Sequence, residues 1–113
     1  MNKFTEYETA ARAYDFATDR DSPLNTLWYV SLGLSGETGE LSEHVKKHIR
    51  DDNGIMTAHR KELLLREAGD VLWYLTKMAK LLGSSLGEIA QKNIDKLASR
   101  AKRGKLSGSG DMR

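Results

Sequence analysis

Two long segments joined by an acidic turn set the architecture of this chain: LWYVSLGLSGETGELSEHVKKHI (residues 27–49) and ELLLREAGDVLWYLTKMAKLL (residues 62–82). In both segments apolar residues recur at three- and four-residue intervals, which predicts amphipathic helices. The sequence DDNG at residues 51–54 is a strong turn signal. The pattern therefore predicts an antiparallel helical hairpin.

Capping residues predict where the two hairpin helices begin and end. Ser22 and Pro23 are typical of an N-cap and a first helical position, so we expect the first hairpin helix to run from there to about Ile49. Thr57 is an N-cap candidate for the second, and Gly83 is suited to the left-handed residue that ends it.

Two shorter helices are predicted outside the hairpin. Thr5 is followed three residues later by a glutamate, a capping-box spacing, and the helix it starts should fade near residues 19–21. Ser85 has the same spacing and opens a last helix that ends at Gly104. We therefore expect an all-α protein, a four-helix bundle built on a long antiparallel central hairpin.

Length and composition exclude several classes of protein. A chain of 113 residues suits one domain, which we place at residues 1–104, with a flexible Gly/Ser-rich tail at 105–113. Because there are no cysteines, a disulfide framework and a thiolate nucleophile are excluded. No apolar run approaches the roughly 18 residues of a membrane span, and the start lacks a secretory segment. We expect a cytoplasmic protein with no membrane partner.

The net charge of +2 is unevenly distributed. Residues 92–113 carry seven Lys/Arg and two Asp, a local +5, which leaves −3 for residues 1–91. This division indicates cation binding by the body and anion binding by the C-terminal end, or else solvated surface charge. The weak overall charge and the lack of a known nucleic-acid motif argue against a nucleic-acid partner.

Two pairs of carboxylates carry the chemical signal. Glu37 and Glu40 are three residues apart, as are Glu67 and Asp70, so each pair shares a helix face. Across an antiparallel hairpin, facing residues have a constant sum of residue numbers. Glu37 faces Asp70 and Glu40 faces Glu67 in this way, and both pairs centre on the predicted turn at residues 53–54. All four carboxylates should therefore lie at one level of the hairpin. Such a group repels itself unless cations join it, and oxygen ligands suit Mg²⁺ or Mn²⁺.

The apolar surroundings of Glu67 and Asp70 strengthen the metal interpretation, because an isolated buried carboxylate is costly. The alternative is a set of solvated surface charges. A di-iron site is a second alternative, but its Glu-x-x-His steps are absent. Glycines recur nearby, and they indicate close helix packing, room for a ligand, or a kink near residue 36: Gly33, Gly36, Gly39 and Gly69.

The segments LGLSGETGELSEHVKK and KELLLREAGDVLWYL resemble the MazG-like family of all-α nucleoside triphosphate pyrophosphohydrolases. The family signature is Glu-Glu-x-x-Glu, a spacer, and Glu-x-x-Asp. Here the spacer is 26 residues, 41–66, and Gly36 replaces the first glutamate. The C-terminal NIDKLASRAKRGKLSGSGDMR also resembles the ends of compact members, so the resemblance covers most of residues 27–113.

The resemblance implies Mg²⁺-dependent hydrolysis of a (d)NTP to (d)NMP and pyrophosphate, in nucleotide-pool house-cleaning, with Mn²⁺ as a possible substitute. It implies four metal ligands: Glu37, Glu40, Glu67 and Asp70. Glu37 or Glu40 would be the catalytic base toward water. Members of the family usually form dimers or dimers of dimers, so we expect a homodimer or a dimer of dimers. A Walker-type phosphate grip is excluded because GxxxxGK[ST] is absent.

Polar residues in the last predicted helix, three of them cationic, are candidates for binding substrate phosphates. They form one polar stripe at helical spacing beside an apolar stripe, and by resemblance they contact substrate: Asn93, Lys96, Arg100 and Arg103. Lys47 shares a helix face with Glu40 and is a further candidate. A solvated basic face is the alternative. His44 and His48 are predicted to be ordinary helix-face residues, because no third zinc ligand accompanies them.

A function from another class also fits the sequence. The chain could be a non-catalytic helical interaction module or an antitoxin-like partner, its carboxylates serving only as surface charge. Thermal melting with and without Mg²⁺ distinguishes the two, because only a metal site stabilises the fold by mass action.

Overall fold

A computed structural model of the chain describes residues 3–104 and 106–112. Within these residues the regular structure is entirely helical, as predicted, and its four α-helices are α1 (Lys3–Arg12), α2 (Leu27–Asp51), α3 (Ala58–Leu81) and α4 (Leu86–Lys102). None of the helices in this part of the chain has the length and apolar character that a bilayer crossing requires. The predicted domain limits at 1 and at 105–113 fall partly on residues outside the described ranges and stay a prediction.

The hairpin turn follows from two residues in the left-handed region. Asn53 has φ 54° and Gly54 has φ 71°, the conformation that Gly and Asn adopt at least cost. Thr57 then accepts a hydrogen bond from the backbone N–H of Arg60 and begins α3. α2 and α3 pack against each other along the hairpin, which confirms the predicted antiparallel pair.

The outer helix boundaries are partly as predicted. Ser85 caps α4 through the Glu88 N–H, and Gly83 has φ 69° after α3, as expected. Ser22 caps only a short 3₁₀ turn at Pro23–Asn25, and Thr26 caps α2. The hairpin helix therefore begins later than the sequence predicted, because two separate caps follow each other there.

α1 differs most from the prediction. It ends at Arg12 rather than near residues 19–21, and Thr5 lies inside the helix instead of capping it. Glu8, the predicted capping-box partner, accepts a hydrogen bond from the backbone N–H of Leu86 at 3.1 Å. A contact with the start of α4 thus replaces the local cap.

Of the four hairpin glycines that the sequence associates with close helix packing, only Gly33 lies at a close contact between the helices. A Cβ on Gly33 would lie 2.2–2.6 Å from ring atoms of Tyr74, so α2 and α3 approach closely there. Gly36, Gly39 and Gly69 face open space. α2 is one continuous helix through residue 36, so the helix is not broken there.

The hairpin leaves much of its apolar surface uncovered. The chain exposes 8344 Å², whereas a compact monomer of this mass exposes about 6,200 Å². Its radius of gyration is 17.1 Å, against about 13 Å for a compact chain of this length. Buried apolar side chains in the described residues are few: Val30, Ala79 and Leu86. Consequently the expectation that Glu67 and Asp70 are buried was wrong, since Glu67 is half-buried and Asp70 is exposed.

Candidate metal site

Three of the predicted carboxylates meet at the middle of the hairpin. Glu37 projects from α2, and Glu67 and Asp70 project from α3 one turn apart. One carboxylate oxygen from each lies within 4.8 Å of the others. The register deduced from the turn position therefore brings these side chains together, as expected for an antiparallel pair centred at residues 53–54.

The electrostatics of this carboxylate cluster fit a divalent cation. Partial burial raises the pKa of Glu37, and the negative charges of Asp70, Glu67 and Glu40 raise it further. No Lys or Arg in the described residues forms an ion pair with Glu37 or Asp70, so nothing in this part of the chain pairs with their charge. Hard carboxylate oxygens converging without a cationic side chain are the donor set that Mg²⁺ and Mn²⁺ prefer.

Glu40 stands beside the cluster rather than within it. It lies one turn after Glu37 on α2 and is exposed, and it is not among the residues whose oxygens converge. Its charge nevertheless makes the smallest of the contributions that raise the pKa of Glu37. Its metal-binding and catalytic roles stay a prediction.

A hydrogen-bonded chain supports Glu67 from behind, and the sequence did not predict it. His44 Nε2 lies 3.3 Å from Glu67 Oε1, and His44 Nδ1 lies 3.2 Å from Arg60 Nη1. Arg60 Nε in turn donates to Asp52 Oδ2 at 2.8 Å. Because a guanidinium only donates, Nδ1 must accept and Nε2 carries the hydrogen that it donates to Glu67. His44 is therefore more than the ordinary helix-face residue expected, since it orients a ligand candidate.

A cleft lined by aromatic residues opens next to the cluster. It encloses about 350 Å³ between the α1–α2 loop and the hairpin, and Glu37 and Asp70 form one side. Trp73 and Tyr74 pack edge to face there with ring centroids 5.1 Å apart. The other aromatic residues of the lining are Tyr14, Phe16 and Tyr29.

The floor of this cleft is an ion pair that was also not predicted. Lys77 Nζ donates to Asp15 Oδ1 at 3.1 Å, and the lysine is only 6% exposed. The same ammonium lies 5.7 Å from the centre of the Trp73 ring, within cation–π range. One signal was available, since Lys77 shares the α3 face of Asp70 two turns further on, but nothing local indicated Asp15. The adjoining cleft is lined by further cations: Arg12, Arg20 and Lys80.

The predicted phosphate-binding stripe lies on α4 and does not line the aromatic cleft. Lys96 and Arg100 instead bind Asp111 of the C-terminal tail. Arg103 Nε donates to Ser99 Oγ at 3.1 Å, and Asn93 is exposed. Within the described part of one chain, the stripe and the carboxylate cluster are therefore separate, and the substrate contacts expected for the stripe stay a prediction.

Lys47, the other phosphate-binding candidate, is half-buried two turns beyond Glu40 on α2. Its positive charge acts on Glu43, an exposed residue of the same helix. The pKa of Glu43 is lowered chiefly by the hydrogen bond from Lys46, with a smaller contribution from Lys47. Its role toward substrate stays a prediction.

Comparison with known proteins decides the family. The model of the MazG nucleotide pyrophosphohydrolase domain matches residues 27–104, which span α2, α3 and α4 and include Glu37, Glu40, Glu67 and Asp70. This chain belongs to the MazG family. The match confirms the resemblance inferred from the two acidic motifs, with Gly36 in place of the first glutamate.

A known protein aligns with most of this MazG chain. The gene 37 protein of Mycobacterium phage L5 is 44% identical over 100 residues, covering 88% of this chain and 87% of the relative. No solved structure matches the chain. The loop that carries Asp15 and Phe16 precedes the matched MazG region, so the aromatic cleft combines the family domain with a segment outside it.

Proposed function

We propose that this MazG chain is a Mg²⁺-dependent pyrophosphohydrolase that converts a nucleoside triphosphate into the monophosphate and pyrophosphate. The observation that carries the proposal is the convergence of Glu37, Glu67 and Asp70, whose oxygens lie within 4.8 Å of one another. Among the described residues no Lys or Arg forms an ion pair with any of the three. Membership of the MazG family supports the reaction class. The same membership supports including a house-cleaning role in the nucleotide pool in this proposal.

The residues divide into ligands and a base. Glu37, Glu67 and Asp70 would hold the cation, which on binding neutralises phosphate oxygens and stabilises the departing pyrophosphate. Glu40 is exposed beside them and is free to accept the proton of the water that cleaves the α–β phosphoanhydride bond. Glu37 is the other candidate base, because its raised pKa favours proton uptake. His44 holds Glu67 in its orientation throughout.

The aromatic cleft supports a place for the nucleoside. Its side chains border the cluster and offer ring faces on which a base can stack, while the Asp15–Lys77 pair presents polar groups at its floor. Phosphates would be held by an amide and four cations from elsewhere: Asn93, Lys47, Lys96, Arg100 and Arg103. Cytoplasmic action without a nucleic-acid partner is part of this proposal.

A second copy of the chain is part of the functional unit that we propose. The excess exposed area and radius of gyration are typical of a subunit rather than of a compact monomer. On α2 the side chains of Trp28 and Leu32 are 83% and 70% exposed, and Gly36 and Gly39 leave room for a neighbouring backbone. A homodimer, or a dimer of dimers, would cover this face and could bring α4 of one copy to the cleft of the other.

The same uncovered surface favours a second candidate, a helical interaction module without catalysis. The two candidates differ in the carboxylate cluster, which an interaction module does not require. A module would bind a partner through α2 and would be insensitive to divalent cations.

Product analysis tests the proposal directly. Canonical and modified nucleoside triphosphates are incubated with the protein and Mg²⁺, and ³¹P NMR identifies the products. We expect monophosphate and pyrophosphate in equal amounts, lost in Asp70→Asn and kept in the control Asp21→Asn, which alters an exposed loop aspartate. Release of orthophosphate, or equal turnover by Asp70→Asn, would contradict the proposal.

A further inference from the structure

Two cations on α4 form a partly built anion site. Lys96 and Arg100 lie one turn apart, and Arg100 is only 5% exposed. Its Nε is buried without a hydrogen-bond partner in the described residues. A buried guanidinium with an unused donor is costly unless an anion approaches it, and two parallel N–H groups suit an oxyanion with several oxygens.

The C-terminal tail supplies the anion that occupies this site. Asp111 Oδ1 accepts a hydrogen bond from Lys96 Nζ at 2.7 Å and lies 3.3 Å from Arg100 Nη2, which also donates to the Asp111 carbonyl. The hydrogen bond and charge of Lys96, followed by those of Arg100, lower the pKa of Asp111. The carboxylate is therefore bound in its ionised form.

The backbone conformation and the exposure of the tail suit a contact with α4 that can be released. Gly108 has φ 109° and Gly110 has φ 87°, conformations that return the chain toward α4 and that glycine adopts most easily. The side chain of Asp111 is 74% exposed, and the residues described around it are exposed as well. Releasing the tail would thus uncover little apolar surface, whereas the α4 cations would remain in place.

We propose that Lys96 and Arg100 form a phosphate-binding site that the tail occupies through Asp111, so that the tail competes with the phosphate groups of the ligand. A phosphate carries more charge than the carboxylate and offers more oxygens to the N–H groups of Lys96 and Arg100. The tethered carboxylate acts at the high effective concentration of a short linker, and a ligand must displace it. The identity of the phosphate ligand as substrate rests on the proposed function.

Binding of inorganic pyrophosphate without divalent metal tests this proposal separately from catalysis. Isothermal titration calorimetry is performed on the full chain, on Asp111→Asn, and on the control Ser109→Ala in the same tail. We expect Asp111→Asn to bind pyrophosphate about three- to tenfold more tightly, as for loss of a tethered competitor, and Ser109→Ala to match the unaltered chain. Equal or weaker binding by Asp111→Asn, or no pyrophosphate binding by any variant, would overturn the proposal.

A double-mutant cycle tests whether the tail and the phosphate compete for Lys96. In a Lys96→Gln background, Asp111→Asn should strengthen binding less, because only the contact of Asp111 with Arg100 remains to be removed. An undiminished effect in that background would place the action of Asp111 elsewhere and overturn the assignment to Lys96. In steady-state hydrolysis Asp111→Asn should lower KM by the same factor and leave kcat unchanged. If no nucleotide is hydrolysed, the proposed function fails, but the pyrophosphate titration still decides the role of the tail.

Discussion

His44 on α2 and Glu67 on α3 are joined across the hairpin by a 3.3 Å contact between Nε2 and Oε1, with Arg60 fixing the ring from the other nitrogen. The contact orients one carboxylate of the cluster while leaving its second oxygen available to a cation. Residues of this kind, behind a metal ligand, commonly change metal affinity without touching the ion.

Replacing His44 by glutamine should therefore weaken metal binding. We expect His44→Gln to lower Mn²⁺ affinity by about 10- to 100-fold with the helical circular dichroism unchanged. The affinity is measured by titrating the protein with Mn²⁺ and following the free Mn²⁺ by electron paramagnetic resonance. His59→Gln is the matched control, because His59 is exposed at the start of α3. Equal Mn²⁺ affinity in His44→Gln and the control would show that the contact does not support the site.

Removing the charge of Glu37 should stabilise the metal-free chain and abolish turnover. Burial and neighbouring carboxylates raise the pKa of Glu37, so keeping Glu37 ionised costs more free energy in the folded chain than in the unfolded chain. Glu37→Gln relieves this repulsion. Calorimetry in EDTA should give a higher Tm than for the unaltered chain, and the further rise on adding Mg²⁺ should shrink. An unchanged Mg²⁺-induced rise would mean that Glu37 is not a ligand.

The close approach of the hairpin helices depends on Gly33. An alanine Cβ there would meet the Tyr74 ring at 2.2–2.6 Å, so Gly33→Ala should cost about 1–3 kcal/mol of unfolding free energy. Gly69 faces open space, and Gly69→Ala should instead stabilise α3 by up to about 1 kcal/mol. Urea unfolding at one protein concentration compares them. Equal stability of the two variants would contradict the packing described.

Self-association through α2 should be sensitive to a charge on its exposed apolar face. Leu32 is 70% exposed in the single chain, so Leu32→Glu would be nearly neutral in a monomer. In the proposed dimer it places an unpaired charge in an interface. Light scattering after gel filtration should give at least twice 12.7 kDa for the unaltered chain and 12.7 kDa for the variant. A monomer mass for the unaltered chain would dispose of the dimer.

The sequence predicted what depends on local chemistry. The turn at Asn53 and Gly54, the caps at Thr57 and Ser85, and the helical period between them fix the hairpin, and its register follows from the turn position. Because facing residues are then determined, the meeting of the α2 and α3 carboxylates could be deduced without coordinates.

Contacts between distant segments could not be deduced in this way. Asp15 pairs with Lys77 across 62 residues of sequence, and Asp111 returns to α4 from a tail whose composition indicates only flexibility. Glu8 had a plausible local role as a capping residue but contacts the start of α4 instead. The burial of Asp70 was misjudged for a related reason, since apolar neighbours in sequence do not reveal whether the same chain covers them.

The proposed function requires that the hairpin carboxylates bind a divalent cation. Crystals grown with Mn²⁺ and measured at the manganese absorption edge address it most directly. We expect an anomalous peak coordinated by oxygens of Glu37, Glu67 and Asp70. Well-ordered carboxylates with no anomalous peak between them would contradict it.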